Sequence, residues 1–134
     1  MPPVGVGALV IHQERILLIR RGRSPGQGEW SIPGGLVKVG ETLKEAVARE
    51  VLEETGLQVQ PQDLVELLER IFPDDDGRIR YHYILADYRC SVVGGELVAG
   101  SDAAEAVWVA GADLSQYSLS PVTMSVILKA FKGK

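Results

Sequence analysis

The hydrophobic residues of this chain fall into short runs that predict several β-strands and two helices. Residues 3–11 (PVGVGALVI) and 15–20 (RILLIR) are rich in aliphatic residues, and the three-residue connection between them predicts a hairpin. Residues 21–29 (RGRSPGQGE) predict a loop. A short strand at residues 30–32 is expected to end at residues 33–35 (PGG), because proline and paired glycines interrupt regular elements.

The most regular helical pattern covers residues 43–55 (LKEAVAREVLEET). Thr42 and Glu45 have the spacing of a capping box, and Gly56 is a favourable residue just beyond a helix end. Four aliphatic residues recur at helical spacing and are expected to face the core: Leu43, Val47, Val51 and Leu52.

The rest of the chain predicts further strands and a closing helix. Strand-like runs lie at 64–72, 80–89 and 106–109, and residues 120–121 (SP) predict the start of a helix. One face of this helix is expected to be buried, that of Val122, Ser125, Val126 and Lys129. The order of elements predicts an α/β fold with a mixed sheet, and 134 residues fit a single domain spanning residues 1–134.

Composition and charge exclude some functions without selecting one. The net charge of −4 argues against a nucleic-acid-binding protein, which would carry a basic face, but a few arginines and a cation would still bind a small phosphorylated substrate. Cys90 is the single cysteine and is expected to be a buried structural thiol. One cysteine, no secretion signal and no membrane-spanning run favour a cytoplasmic protein without a membrane partner.

Three acidic residues of the helix at 43–55 are candidate metal ligands. Glu50, Glu53 and Glu54 lie at i, i+3 and i+4, so their carboxylates share one helix face and repel one another. A divalent cation such as Mg²⁺ would remove this conflict, because it prefers oxygen ligands and shares them with substrate phosphates. Arg49 would orient or neutralise one of the acids. From the helix alone, a solvated acidic face is the simpler interpretation.

The residues before the helix change that balance. The glycine pair at 34–35 permits unusual backbone conformations and would allow a carbonyl group to point at a metal. With the helix, these residues complete the pattern G-x5-E-x7-R-E-U-x-E-E-x-G-U, in which U is aliphatic. Every defined position is filled, by Gly35, Glu41, Arg49, Glu50, Val51, Glu53, Glu54, Gly56 and Leu57.

Residues 35–57 resemble the signature box of the Nudix hydrolases, and residues 30–35 (WSIPGG) resemble the lead-in to that box. The resemblance implies an α/β/α sandwich with a central mixed β-sheet. It also implies hydrolysis of a nucleoside diphosphate linked to another group, or the equivalent cut in a triphosphate. The implied cofactor is Mg²⁺, with Mn²⁺ as a substitute. The implied partner is a small nucleotide substrate. Homodimers are frequent in the ADP-ribose pyrophosphatase subgroup of this family, so a homodimer is a further implied partner.

The resemblance also implies roles for single residues. Glu50, Glu53 and Glu54 would ligate the metal together with the carbonyl group of Gly35. Either Glu53 or Glu54 would instead activate the attacking water, because the family is not uniform on this point. Arg49 would hold the acids in position.

Residues around the box extend the expected site. Glu41 would support the loop before the helix and is a weaker ligand candidate. In this family an acid from a later loop often completes the site or acts as the base, and Asp102 and Glu105 are the candidates here. Glu105 is preferred, because a glutamate a few residues ahead of the tryptophan found here as Trp108 recurs in relatives.

Arginine and aromatic residues outside the box are candidates for substrate binding. Guanidinium groups suit bidentate phosphate contacts, and aromatic rings stack on bases. The arginine candidates are Arg20, Arg21, Arg78 and Arg80, with ordinary surface charge as the alternative. The aromatic candidates are Trp30, Phe72 and Tyr81, with core packing as the alternative.

The identity of the substrate depends on residues outside the box. Pro73 lies sixteen residues after Leu57, an offset that resembles the ADP-ribose pyrophosphatase subgroup, although a proline before a turn is also ordinary turn chemistry. ADP-ribose or a similar nucleotide sugar is therefore the favoured substrate. The alternative is a (d)NTP, including oxidised nucleotides such as 8-oxo-dGTP. A non-catalytic nucleotide-sensing module is less favoured, because the box is intact.

Overall fold

The computed structural model of the protein describes residues 2–22, 28–100 and 103–133. These residues form seven strands, named β1 (Val4–His12), β2 (Arg15–Arg21), β3 (Trp30–Ser31), β4 (Gly34–Leu36), β5 (Leu57–Pro73), β6 (Ile79–Gly95) and β7 (Ala103–Ala110). Two helices, α1 (Leu43–Thr55) and α2 (Pro121–Lys132), and a 3₁₀ helix at Gly111–Gln116 complete the fold. None of the described helices has the length and apolar character needed to cross a membrane.

The strands form one mixed sheet with β1 near its middle. The order is β3-β2-β1-β6-β5, with β4 also paired to β1 and β7 also paired to β2. β1 runs parallel to β6 and antiparallel to β2 and β4. The predicted mixed sheet and the hairpin of the first two strands are therefore confirmed.

Alternate residues of β1 face opposite sides of the sheet and separate two hydrophobic cores. Val6 and Val10 belong to one core together with Val47 of α1. Leu9 belongs to the second core, together with Ile127 of α2. One helix thus covers each face of the sheet, which confirms the α/β/α sandwich that the resemblance implied.

The glycine pair after Pro33 continues the sheet, contrary to the expectation that it interrupts regular structure. Gly34 opens β4 and pairs with Gly7 of β1. A Cβ atom on Gly34 would overlap the carbonyl oxygen of Val6. The two strands therefore approach so closely that only glycine fits, and the glycines serve this contact instead of a turn.

The later strands are longer than their hydrophobic runs predicted. β5 and β6 each have 17 residues and pair as one long antiparallel hairpin, with several register shifts along it. The runs of apolar residues predicted only part of each strand, because polar residues interrupt the apolar pattern along the hairpin. The 3₁₀ helix after β7 was not predicted either.

Helix α1 has the predicted ends but a different buried face near its C-terminus. Thr42 and Glu45 form both hydrogen bonds of the capping box, and Gly56 adopts a left-handed conformation with φ of 77°. Leu52 is 50% exposed, so its predicted core position is wrong, whereas Glu54 is only 5% exposed. The polar residue occupies the inner position because that side of α1 faces β4 and the cleft described below.

Helix α2 buries a different face from the one predicted, whereas the cysteine lies in the core as predicted. The inner face of α2 consists of Val126, Ile127 and Ala130, so the predicted row is wrong except at Val126. Lys129 lies outside this face and its ammonium group bonds Glu66 at 3.1 Å. Cys90 is buried as expected, and burial raises the pKa of its thiol to about 12, which makes it a poor nucleophile.

Candidate active site

Arg49 joins the loop before α1 to the acids of the helix. Its Nε and Nη2 atoms donate hydrogen bonds to the two oxygens of Glu41 at 2.6 and 3.0 Å. Its Nη1 atom donates to Oε1 of Glu50 at 2.9 Å. The Arg49 guanidinium group, aided by the backbone N–H of Lys38, lowers the pKa of Glu41 to about 2. Both partners therefore stay charged at neutral pH, and Arg49 fixes the position of Glu50.

Glu54 is the buried acid of the cluster. Its Oε1 atom accepts a long hydrogen bond of 3.4 Å from the backbone N–H of Gly34. Its Oε2 atom is buried and has no hydrogen-bond partner among the described residues. Burial raises the pKa of Glu54 to about 9, and the neighbouring carboxyl group of Glu50 contributes to the rise. A buried carboxyl oxygen in this position requires either a proton or a cation.

Gly35 makes room for the other inner acid. A Cβ atom on Gly35 would overlap the carboxyl group of Glu50. The glycine thus allows Glu50 to lie against β4, next to Glu54. Two carboxyl groups, one with an unpartnered buried oxygen, form a set of hard oxygen donors that fits a divalent cation such as Mg²⁺.

The third acid of the box lies further out. Both carboxylate oxygens of Glu53 are 3.4 Å from Nη1 of Arg49, and the side chain is 43% exposed. Over the described part of the chain, no three acidic, histidine or cysteine side chains converge as a complete metal site. The structure therefore brings Glu50 and Glu54 together and leaves Glu53 beside Arg49, facing solvent.

A cleft of about 850 Å³ borders these acids, a volume suited to a nucleotide. One part of its lining, the acidic end of the cleft, includes Gly35, Glu50 and Glu54. The rest of the lining consists of glycines of β1 and of apolar and aromatic side chains. The latter come from β5, β6 and the start of α2, and include Leu68, Phe72, Tyr83, Leu85 and Val122. The cleft thus has an apolar wall beside its acidic end.

Some predicted substrate-binding residues do line this cleft. Arg21, Trp30 and Phe72 are among its lining residues. The positive charge of Arg21 lowers the pKa of Glu54 and so opposes the effect of burial. Trp30 packs edge-on against Tyr117, with ring centroids 5.0 Å apart.

Other predicted site residues lie outside the described lining of the cleft. Arg20 and Glu105, neighbours on β2 and β7, form an ion pair of 2.6 Å with each other. Arg78 lies in the exposed turn before β6, 3.6 Å from Asp76. Tyr81 stacks on Tyr83 with centroids 6.0 Å apart. Asp102 and the side chain of Arg80 fall outside the described part of the chain.

Among the polar residues of the cleft that sequence reasoning missed is a buried acid, Asp87 of β6. It is only 7% exposed and is one of the residues that line the cleft. An acid within the apolar run ILADY (residues 84–88) was the available signal, because an acidic side chain is almost never buried without a function or a partner.

Comparisons with known proteins agree with this architecture. The NUDIX domain family model matches residues 1–129. The ADP-ribose pyrophosphatase of Methanocaldococcus jannaschii is 43% identical over 105 residues, which is 78% of this chain and 60% of that protein. Phosphatase NudJ of Escherichia coli K12 is 36% identical over 78 residues, 58% of this chain and 51% of that protein.

A solved structure matches over nearly its whole length. The MutT NUDIX hydrolase from Burkholderia pseudomallei has 30% identity and a TM-score of 0.78, with 96% of this chain and 98% of that chain covered. The matches to the two curated relatives span only about half to three-fifths of their lengths. The family model, however, extends over nearly all of this chain, whose intact box lies on β4 and α1. The chain belongs to the NUDIX domain family.

Proposed function

We propose that this protein is a Mg²⁺-dependent pyrophosphohydrolase that cleaves a nucleoside diphosphate linked to another group, with ADP-ribose or a similar nucleotide sugar as substrate. The observation that carries the proposal is the pair of Glu50 and Glu54 beside a nucleotide-sized cleft, with one buried Glu54 oxygen that has no hydrogen-bond partner in the described ranges of the chain. A diphosphate bound beside a cation at these acids would leave the rest of the nucleotide in the cleft.

The cation would be held by Glu50 and Glu54, with Glu53 and the Gly35 carbonyl group as further ligands. When bound, such an ion neutralises charge on the diphosphate and lowers the pKa of a bound water. Mn²⁺ would replace Mg²⁺, because it accepts the same oxygen ligands.

The protein's own residues would position these groups and handle the proton. Arg49 holds Glu50 through its 2.9 Å hydrogen bond, so the carboxylate keeps its place as charge develops. One of Glu53 and Glu54 would accept the proton of the attacking water instead of ligating the ion, and the exposure of the Glu53 side chain favours Glu53 for this role. Arg21 would add positive charge near the phosphates, as a lining residue of the cleft. Glu105 stays a candidate for the base only if its pair with Arg20 opens.

The choice of ADP-ribose is supported by the relative in Methanocaldococcus jannaschii, which bears that name at 43% identity. The alternative substrate is a (d)NTP or an oxidised nucleotide such as 8-oxo-dGTP, which also carries phosphates that a cation at Glu50 and Glu54 would bind. Both substrates share a nucleoside diphosphate, so the acidic end of the cleft accommodates either.

A substrate panel at fixed enzyme and Mg²⁺ concentration tests the proposal. It compares ADP-ribose, other nucleotide sugars, dNTPs and 8-oxo-dGTP, with products separated by chromatography. We expect AMP and ribose 5-phosphate from ADP-ribose, with kcat/KM at least tenfold above any dNTP, about 1.4 kcal/mol of discrimination. A tenfold preference for a dNTP would replace the proposed substrate by its alternative. Nucleotide binding without any product would instead identify a sensing module.

A further inference from the structure

Asp87 lies on the face of the sheet that α2 covers, where the sheet lines the cleft. Its neighbour in the pairing of β1 with β6 is Gly7. A Cβ atom on Gly7 would overlap the Asp87 carboxyl group. The carboxyl group therefore extends over the bare backbone of Gly7, in space that any other residue at position 7 would occupy. Gly7 also pairs with Gly34 on its other side, so Asp87 lies two strands away from the acidic end of the cleft.

The surrounding charges do not pair with this carboxyl group. Arg70 contributes positive charge, but its guanidinium carbon lies 5.1 Å from the centre of the Phe72 ring, and it forms no ion pair with Asp87 within the described chain. Glu66, opposite Asp87 on β5, is negative and bonds Lys129. Burial raises the pKa of Asp87 to about 6, and the charge of Glu66 acts in the same direction.

One hydroxyl group of the cleft lining also bonds elsewhere. The hydroxyl group of Ser120 donates to that of Thr123 at 2.9 Å, at the start of α2. No described backbone or side-chain group donates a hydrogen bond to the Asp87 carboxyl group. Neither Asp87 oxygen is among the fully buried side-chain atoms that lack a partner, so the carboxylate is accessible from the cleft. Carboxylates with so little exposure usually accept a hydrogen bond. A ligand in the cleft would supply the missing donor.

We propose that Asp87 accepts a hydrogen bond from the nucleoside portion of the substrate and determines which nucleotides the cleft accepts. This inference rests on the proposed function for its substrate class. An ionised carboxylate only accepts hydrogen bonds and repels phosphate. It therefore selects a group with an O–H or N–H donor, which in a nucleoside is a ribose hydroxyl or a base amino or imino group. The phosphates are then directed to the Glu50 and Glu54 end of the cleft.

Removal of the carboxylate and removal of the donor should have the same effect. Asp87→Asn and Asp87→Ala are compared with the parent protein, using ADP-ribose, its analogue without the adenosine 2′-hydroxyl and its analogue without the 6-amino group. We expect Asp87→Ala to raise KM for ADP-ribose at least tenfold, with kcat changed less than threefold. One of the two analogues should show the same rise in the parent protein and no further rise in Asp87→Ala. The analogue that does so identifies the donor as ribose or base.

Controls separate this role from a structural one. Glu66→Gln changes the carboxylate opposite Asp87 that does not line the cleft, and it should leave all three KM values unchanged. Asp87→Asn removes the charge with little change in shape, and its melting temperature should equal or exceed that of the parent. Equal losses with ADP-ribose and both analogues in the Asp87 variants, or unchanged KM values, would overturn the inference.

The inference and the proposed function fail in different ways. Calorimetric titration with AMP and Mg²⁺ measures binding without hydrolysis. AMP affinity that falls tenfold in Asp87→Ala would support the inference even if no substrate is hydrolysed. Hydrolysis of ADP-ribose at the parental KM by Asp87→Ala would overturn the inference and leave the proposed function intact.

Discussion

Glu54→Gln is expected to stabilise the protein in the absence of metal and to abolish its function. The substitution keeps the shape of the side chain and still accepts the hydrogen bond from the N–H of Gly34, but it removes the ionisable group. In the folded protein the pKa of Glu54 is about 9, compared with an ordinary value of 4.5. Folding at neutral pH therefore takes up a proton at Glu54, because burial and Glu50 disfavour its ionised form.

The sign of the pH dependence follows from the raised pKa. The contribution of Glu54 to stability is fully present below its unfolded pKa near 4.5 and is lost as the pH rises towards about 9. At pH 7, the difference of 7 minus 4.5 pH units means that the buried Glu54 lowers the free energy of unfolding by at most about 3 kcal/mol. Relaxation and water entry reduce this cost, so we expect about 1–3 kcal/mol of added stability in Glu54→Gln, or roughly 3–10 °C in melting temperature.

The assay is thermal unfolding in EDTA from pH 5 to pH 8.5, with Glu53→Gln as a control because Glu53 is half-exposed. We expect the parent and Glu54→Gln to melt within a few degrees of each other at pH 5 and to diverge as the pH rises. With Mg²⁺, the parent should gain stability and Glu54→Gln should not, and turnover should fall at least 100-fold, about 2.7 kcal/mol. A Glu54→Gln protein that is less stable than the parent across the whole range would refute the assigned burial and charge.

Three further predictions follow from individual contacts. Gly35→Ala should reduce Mg²⁺-dependent turnover at least tenfold in a steady-state assay, because its methyl group would displace the neighbouring carboxylate. Arg49→Lys loses the bidentate bond to Glu41, whose pKa of about 2 means that this pair stabilises the fold above pH 4.5 and less as the pH falls towards 2. Denaturant unfolding should therefore show a deficit for Arg49→Lys at pH 7 that shrinks at pH 3, and an equal deficit at both pH values would contradict this. Ile127→Ala should cost roughly 2–4 kcal/mol in urea unfolding and Leu52→Ala less than about 1, and a reversed order would refute the burial of α2.

The features predicted from sequence are those that depend on nearby residues. The capping box of Thr42 and Glu45 and the end of α1 at Gly56 are local patterns with their own hydrogen bonds, so the helix limits were predicted to the residue. The spacing of the box likewise predicted that Glu50 and Glu54 lie together, because residues four apart on a helix share a face.

The features that were missed depend on partners far along the chain. Strand β4, which begins at Gly34, forms because β1 lies beside it. The glycine pair taken alone predicts an interruption of regular structure. Leu52 and Glu54 are two residues apart, and only the position of β4 decides that the acid lies inside. The pair of Arg20 and Glu105 requires the register of β2 with β7, which no local pattern encodes. Asp87 carried a local signal, as an acid within an apolar run, but its position beside the cleft depends on the missing side chain of Gly7 in another strand.

Anomalous diffraction from crystals soaked with Mn²⁺ and a non-hydrolysable ADP-ribose analogue tests the metal site most directly. We predict one or more manganese peaks between the carboxylates of Glu50 and Glu54, each shared with a diphosphate oxygen. A diphosphate bound elsewhere, or carboxylates that turn to solvent with no manganese between them, would contradict the proposed hydrolase.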